Sequence, residues 1–77
     1  MIGKDIIKAI METKGVSNAT LANRLSITQQ ALWDRLNNKK ATKDLSTAVL
    51  VDMAAALDYK VVVVPRETRI KEGYVIE

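Results

Sequence analysis

The apolar positions at the start of the chain recur at a helical period. Ile6, Ile7, Ile10 and Met11 share one face, while Lys4, Lys8 and Glu12 take the other. This predicts a helix over Gly3 to Lys14, stopped by Gly15, with Val16 folding back onto its last turn. Ser17 is a good N-cap, and the residues after it, Asn18 to Leu25, align Leu21, Ala22 and Leu25 over barely two turns. Ser26 and Ile27 break that run. Thr28 then caps a third helix, Gln29 to Asn37, with Leu32 and Leu36 one turn apart. A polar connector follows from Asn38 to Lys43, and Asp44 is placed to cap a fourth helix reaching about Leu57. Leu45, Val49, Met53, Ala56 and Leu57 are its expected core stripe. Between Ala48 and Leu57 only Asp52 is polar, so this helix carries more apolar surface than one small core can cover. A second buried face against a partner subunit is expected.

The pattern changes after Lys60. Val61, Val62, Val63 and Val64 are consecutive β-branched residues ended by Pro65, which predicts a strand buried on both faces. Its edges need a partner, either its own copy in a second chain or a second strand at Tyr74 to Ile76. Arg66 to Gly73 between them is charged and turn-like. The expected organisation is a helical domain over residues 1–58 and a C-terminal β extension over 59–77 serving dimerisation, with Val61 to Val64 at the dimer interface.

Composition narrows the chemistry. In 77 residues there is no Cys and no His, which removes disulfide staples, zinc fingers and Ser/His or Cys/His nucleophiles. The aspartates Asp5, Asp34, Asp44, Asp52 and Asp58 lack paired-carboxylate or metal-ligand spacing, and no glycine motif cradles a phosphate. No enzyme activity, metal or cofactor is expected. With no apolar run of membrane-spanning length and no signal-peptide core, a cytoplasmic protein without membrane contact is expected, small enough to hold one core and no sensor domain. The net charge of +3 is divided unevenly: residues 1–43 hold eight Lys and Arg against three acids, and residues 44–77 hold four against six. The basic half is suited to a polyanion.

The stretch Asn18-Ala19-Thr20-Leu21-Ala22-Asn23-Arg24-Leu25-Ser26-Ile27-Thr28-Gln29-Gln30-Ala31-Leu32 resembles the helix-turn-helix of the lambda-repressor-like family, which includes phage repressors and Cro proteins. The resemblance covers residues 4–57. Ala22 falls where the family has a small residue between the two helices, Ile27 and Leu32 fall at its core positions, and Thr28-Gln29-Gln30 resembles the opening of some of its recognition helices. Ser26 stands where the family usually has Gly, and Asn38 where a second Gly is common. The resemblance implies a mainly α fold, four helices with a short C-terminal β-strand or hairpin. It also implies a double-stranded DNA-binding regulator, of the repressor kind found in phages and mobile elements.

A helical wheel with Leu32 inward turns Gln30, Asp34 and Asn37 outward, flanked by Gln29 and Ala31. Gln29, Gln30, Ala31 and Asp34 are the candidate base contacts. A Gln amide pairs with adenine N6 and N7, an Ala methyl meets a thymine methyl, and an Asp accepts from cytosine N4. Asp34 has two alternatives: a partner for Arg35 or Lys39, or a residue that rejects wrong sites. Trp33 sits between core and groove and is open to either. Asn18, Arg24, Asn37, Lys39, Lys40 and Lys43 are the candidate backbone contacts, and Arg35 is balanced between phosphate and an internal ion pair. The leading expectation is a homodimer on a pseudo-palindromic operator, with recognition helices about 34 Å apart. The alternative is an antitoxin-like interaction module whose C-terminal strand joins a partner protein's sheet, with DNA binding secondary.

Overall fold

The computed structural model describes residues 1–37 and 44–76, and within them the chain is mainly helical. Four helices follow in order: α1 (Gly3–Lys14), α2 (Asn18–Arg24), α3 (Gln29–Asn37) and α4 (Thr47–Ala56). No helix among the described residues is long and apolar enough to cross a membrane.

Helix α1 buries Ile6, Ile7 and Ile10 and ends where Gly15 turns left-handed at φ +65°. The Gly15 N–H donates to Glu12 O and the Val16 N–H to Met11 O, so the last carbonyls of the helix are satisfied. Its N-terminus has no local solution, because the preceding residue is Ile2 and offers no side-chain acceptor. Asp44, 41 residues downstream of Gly3, supplies one. Its carboxylate accepts from the Gly3 N–H and, at 3.0 Å, from the Lys4 N–H. A Cβ at position 3 would stand 2.9 Å from the carboxylate, so a larger residue there would require the Asp44 side chain to shift.

Asp44 therefore does not cap α4, as the sequence suggests. Ser46 does, its Oγ accepting from the Val49 N–H at 3.3 Å, and α4 begins at Thr47. The face α4 buries is also turned from the expected one. Leu50, Met53 and Ala54 are buried, with Leu57 just past the helix, whereas Leu45, Val49 and Ala56 are only partly covered. A helix apolar all round carries no period from which its inward face could be read. The surplus is real: Ala48, Val51 and Ala55 face solvent.

Helices α2 and α3 pack on each other, α1 lies against α3 and α4, and α4 also touches α2. One core results, built from Ile6, Ile7, Ile10, Leu21, Ala22, Leu32, Leu36, Leu50, Met53 and Leu57. Past Leu57 the chain turns through Asp58 at φ +63°, and the Tyr59 N–H bonds back to Ala54 O at 2.8 Å. Lys14 fastens this corner to the end of α1, its Nζ donating to Leu57 O at 2.8 Å, 3.5 Å from the Asp58 carboxylate and 5.6 Å from the Tyr59 ring centre.

The expected strand is not shown among the described residues. Val61 to Val64 are exposed, Val63 at 98% of its full surface, and among the described residues no backbone hydrogen bond reaches them. Tyr74 to Ile76 return beside the core, but Val75 O accepts from the N-terminal amine rather than from the valine segment. Tyr59 and Tyr74 bring their rings to 6.4 Å and anchor both ends of the excursion. Between it and the Ile6, Ile10 and Ala54 side lies an open apolar groove of about 450 Å³. A strand needs a hydrogen-bonded neighbour along an edge, and none is shown for Val61 to Val64 among the described residues.

Candidate nucleic-acid interface

The candidate surface is built on the turn between α2 and α3. Ser17 caps α2, its Oγ accepting from the Thr20 N–H at 3.1 Å. The helix stops after Arg24 because Ser26 adopts φ +56°, a left-handed conformation unfavourable to a residue with a Cβ. The bend is held by the Ser26 N–H on Asn23 O and the Ile27 N–H on Ala22 O. Thr28 opens α3, its Oγ1 accepting from the Ala31 N–H at 3.1 Å. Ala22, almost wholly buried, lets the two short helices meet. Leu32 and Leu36 fix the rotation of α3 by pointing inward, which leaves Arg35 exposed.

With that rotation fixed, Gln29, Gln30, Trp33 and Asp34 are all exposed, and Ala31 and Asn37 are half-buried at the margins. The base-contact candidates thus share a surface at the N-terminal end of α3. Two of the polar side chains are already tied within the helix. Gln30 Nε2 donates to Asp34 Oδ1 at 3.0 Å, and Asn37 Nδ2 donates to the Trp33 carbonyl at 3.0 Å. Asp34 therefore partners Gln30, a pairing different from the Arg35 or Lys39 contact considered for it.

Trp33 is 53% exposed, so its indole is not a core residue under α4. A half-exposed indole on an otherwise polar helix face leaves apolar area open to solvent. Its position about 100° from Leu32 left both readings open in the sequence.

The backbone-contact candidates separate into two groups. Asn18 Nδ2 donates to Gln29 O at 3.1 Å, tying the first residue of α2 to the first of α3. Arg24 Nη1 donates to Ala56 O at 2.9 Å, capping the C-terminal end of α4. Both serve the framework that aims α3, and Arg24 keeps its remaining guanidinium N–H groups at an exposed site. Lys39, Lys40 and Lys43 lie outside the described residues. The connector that holds them is bounded by Asn37 and by Asp44, whose attachment to α1 fixes where it ends.

Asp44 is the residue whose role sequence reasoning missed. The signal was present in the absence of a capping side chain before α1, which required an acceptor from elsewhere. Burial pushes the Asp44 carboxyl up, but the N–H bonds from Gly3, Leu45 and Lys4 and the Lys4 charge outweigh it and hold the carboxyl below its ordinary value. It stays an anion at the positive end of α1.

No family model, curated protein or solved structure matches the chain.

Proposed function

We propose that this chain is a sequence-specific double-stranded DNA-binding regulator of the lambda-repressor-like kind, acting as a homodimer on a pseudo-palindromic operator. The observation that carries the reading is the outer face of α3. Gln29, Gln30 and Asp34 are exposed on a short helix whose rotation is locked by Leu32 and Leu36 and whose approach to α2 is set by a tight turn. Such a helix fits the major groove with its first turn against base edges. The excess of Lys and Arg in residues 1–43 supplies attraction to phosphate, and Lys39, Lys40 and Lys43 are its proposed backbone contacts, with Arg24 and Asn18 acting chiefly through the framework.

The unpaired Val61 to Val64 segment supports dimerisation. The β-branched, solvent-exposed run and the exposed Ala48, Val51 and Ala55 of α4 are both apolar surface that a second copy could cover. Pairing with its copy would complete the strand that one chain cannot form. The same exposed edge also fits a different occupant, a sheet of another protein, and this is the interaction-module reading.

Selection of bound sequences from a random DNA pool tests the proposal. A palindromic consensus is expected, and Gln30→Ala should then weaken binding to that site by about 1–3 kcal/mol while leaving random DNA almost unaffected. Equal losses on both DNAs would remove Gln30 from the base contacts. Failure to enrich any sequence, with the chain instead forming a 1:1 complex with a different protein, would decide for the interaction module.

A further inference from the structure

We propose that Asp34 is a positioning residue: by holding the Gln30 amide nitrogen, it restricts Gln30 to adenine and excludes guanine. The inference rests on the DNA-binding reading and on one geometric fact, the 3.0 Å bond from Gln30 Nε2 to Asp34 Oδ1 across one turn of α3.

The argument is a count of donors and acceptors. A carboxylate only accepts, whereas the Gln amide has an accepting Oε1 and two N–H donors on Nε2. Beside Asp34 the amide can lie one way round, with nitrogen toward the carboxylate; the flipped orientation would set Oε1 against a negative oxygen. One N–H is thereby committed to Asp34. What remains facing outward is one N–H and Oε1, a donor beside an acceptor.

Adenine presents its N7 acceptor beside its N6 donor in the major groove and is matched by this pair. Guanine presents two acceptors, N7 and O6. A free Gln could offer it both N–H groups, but a Gln held by Asp34 has one left, and its Oε1 would face a guanine acceptor. The anchoring is also a saving in mobility, because the long Gln side chain is held on the surface before DNA arrives. Asp34 and Gln30 each lie about 160° from the Leu32 direction, on either side of the outward pole, so the two can meet one base pair from adjoining positions without disturbing the core. This assigns the acidic residue a place on a DNA-facing helix that phosphate repulsion alone would disfavour.

The test is a sequence selection run in parallel on the full chain and on Asp34→Ala, Gln30→Ala and the double variant. The full chain should enrich adenine at the Gln30 position. In Asp34→Ala the adenine-to-guanine preference there should fall about tenfold, the low end of what one bidentate pair contributes, with preferences elsewhere retained. In the Gln30→Ala background, adding Asp34→Ala should leave that position unchanged, which is the coupling that a double-mutant cycle isolates. Loss of a negative charge should also tighten binding to all DNA by a common factor, and the adenine-to-guanine ratio is immune to that. Thermal melting of the variants controls for folding, and an unchanged melting temperature is expected for this exposed pair. A retained adenine preference in Asp34→Ala overturns the inference and leaves the DNA-binding reading standing. An equal change with and without Gln30 overturns it likewise, while no enrichment by the full chain overturns both.

Discussion

The helical unit and the C-terminal segment solve the same problem with opposite results. In the helices, backbone ends find acceptors or donors inside the chain: Asp44 for α1, Ser17 for α2, Thr28 for α3, Ser46 for α4, and Arg24 and Lys14 at the closing end of α4. In the segment after Lys60, four valines lie exposed and their backbone groups meet no partner among the described residues. Buried backbone must be hydrogen-bonded, and apolar surface favours removal from water. Exposed backbone can bond water, so the two regions differ chiefly in apolar surface: the helices bury most of theirs in one core, and the valine segment leaves its own in solvent. On the dimer reading proposed above, this chain would separate folding from assembly, with the helical unit holding its own shape and the valine segment left for a partner.

The largest effect expected from breaking this comparison is on the side of assembly. Val62→Asp combined with Val64→Asp should leave the far-UV helical signal intact and convert dimer to monomer in analytical ultracentrifugation. Affinity for a two-half-site operator should fall by about 10²–10⁴-fold, the range set by losing a linked second contact. A dimer that survives these charges would move the interface to α4.

Next in size is the core. Met53→Ala removes a fully buried side chain and should cost about 3 kcal/mol in urea denaturation, typical of Met truncation in a close-packed interior. Val63→Ala, at a site almost wholly exposed in the single chain, should change monomer stability by less than about 0.5 kcal/mol. Similar losses at both sites would mean that the valine segment packs within its own chain and would erase the distinction between the two regions.

The Asp44 cap lies between. Asp44→Ala should cost about 1 kcal/mol at neutral pH, within the usual range for a lost N-cap, and toward its lower part because the carboxylate is largely exposed. Its folded pKa lies below the unfolded value of about 3.9, so the contribution is fully present above that value and is lost as pH falls through the folded pKa. The gap between wild type and Asp44→Ala should therefore narrow in denaturation curves run well below pH 3.9. A gap independent of pH would show that the carboxylate charge is not what holds α1.

How much of this was legible beforehand follows from the same contrast. Helices α1 and α3 are bounded as their periodicity and caps predict, because amphipathic stripes and Gly15, Ser17 and Thr28 are local signals. The outward face of α3 followed from Leu32 and Leu36. What escaped were long-range facts. Asp44 reads locally as a cap for α4, and only folding carries it to α1. The inward face of α4 is hidden by its apolar circumference, and Arg24, a cation on the expected DNA-binding unit, is drawn to a carbonyl of another helix. The valine run states a strand propensity, but propensity cannot supply the second strand.

The smallest effect sharpens the comparison from inside the self-sufficient region. Ser26 occupies φ +56°, where a Cβ is unfavourable by about 1 kcal/mol, while Gly would enter at no steric cost. Glycine also gains freedom in the unfolded chain, which offsets part of the benefit, so Ser26→Gly should stabilise by about 0.5 kcal/mol. Asp58 at φ +63° is the internal control: Asp tolerates the left-handed region better than Ser through local hydrogen bonding, and Asp58 also lies within 3.5 Å of Lys14 Nζ, so Asp58→Gly should gain less or lose slightly. Both are read from urea midpoints at constant slope, with dimerisation monitored separately. A destabilised Ser26→Gly would mean that the serine side chain contributes to the α2–α3 turn more than its backbone strain costs. A Ser26→Gly variant that alters dimerisation would show that the turn and the valine segment are coupled, and the separation of folding from assembly would fail at its most local point.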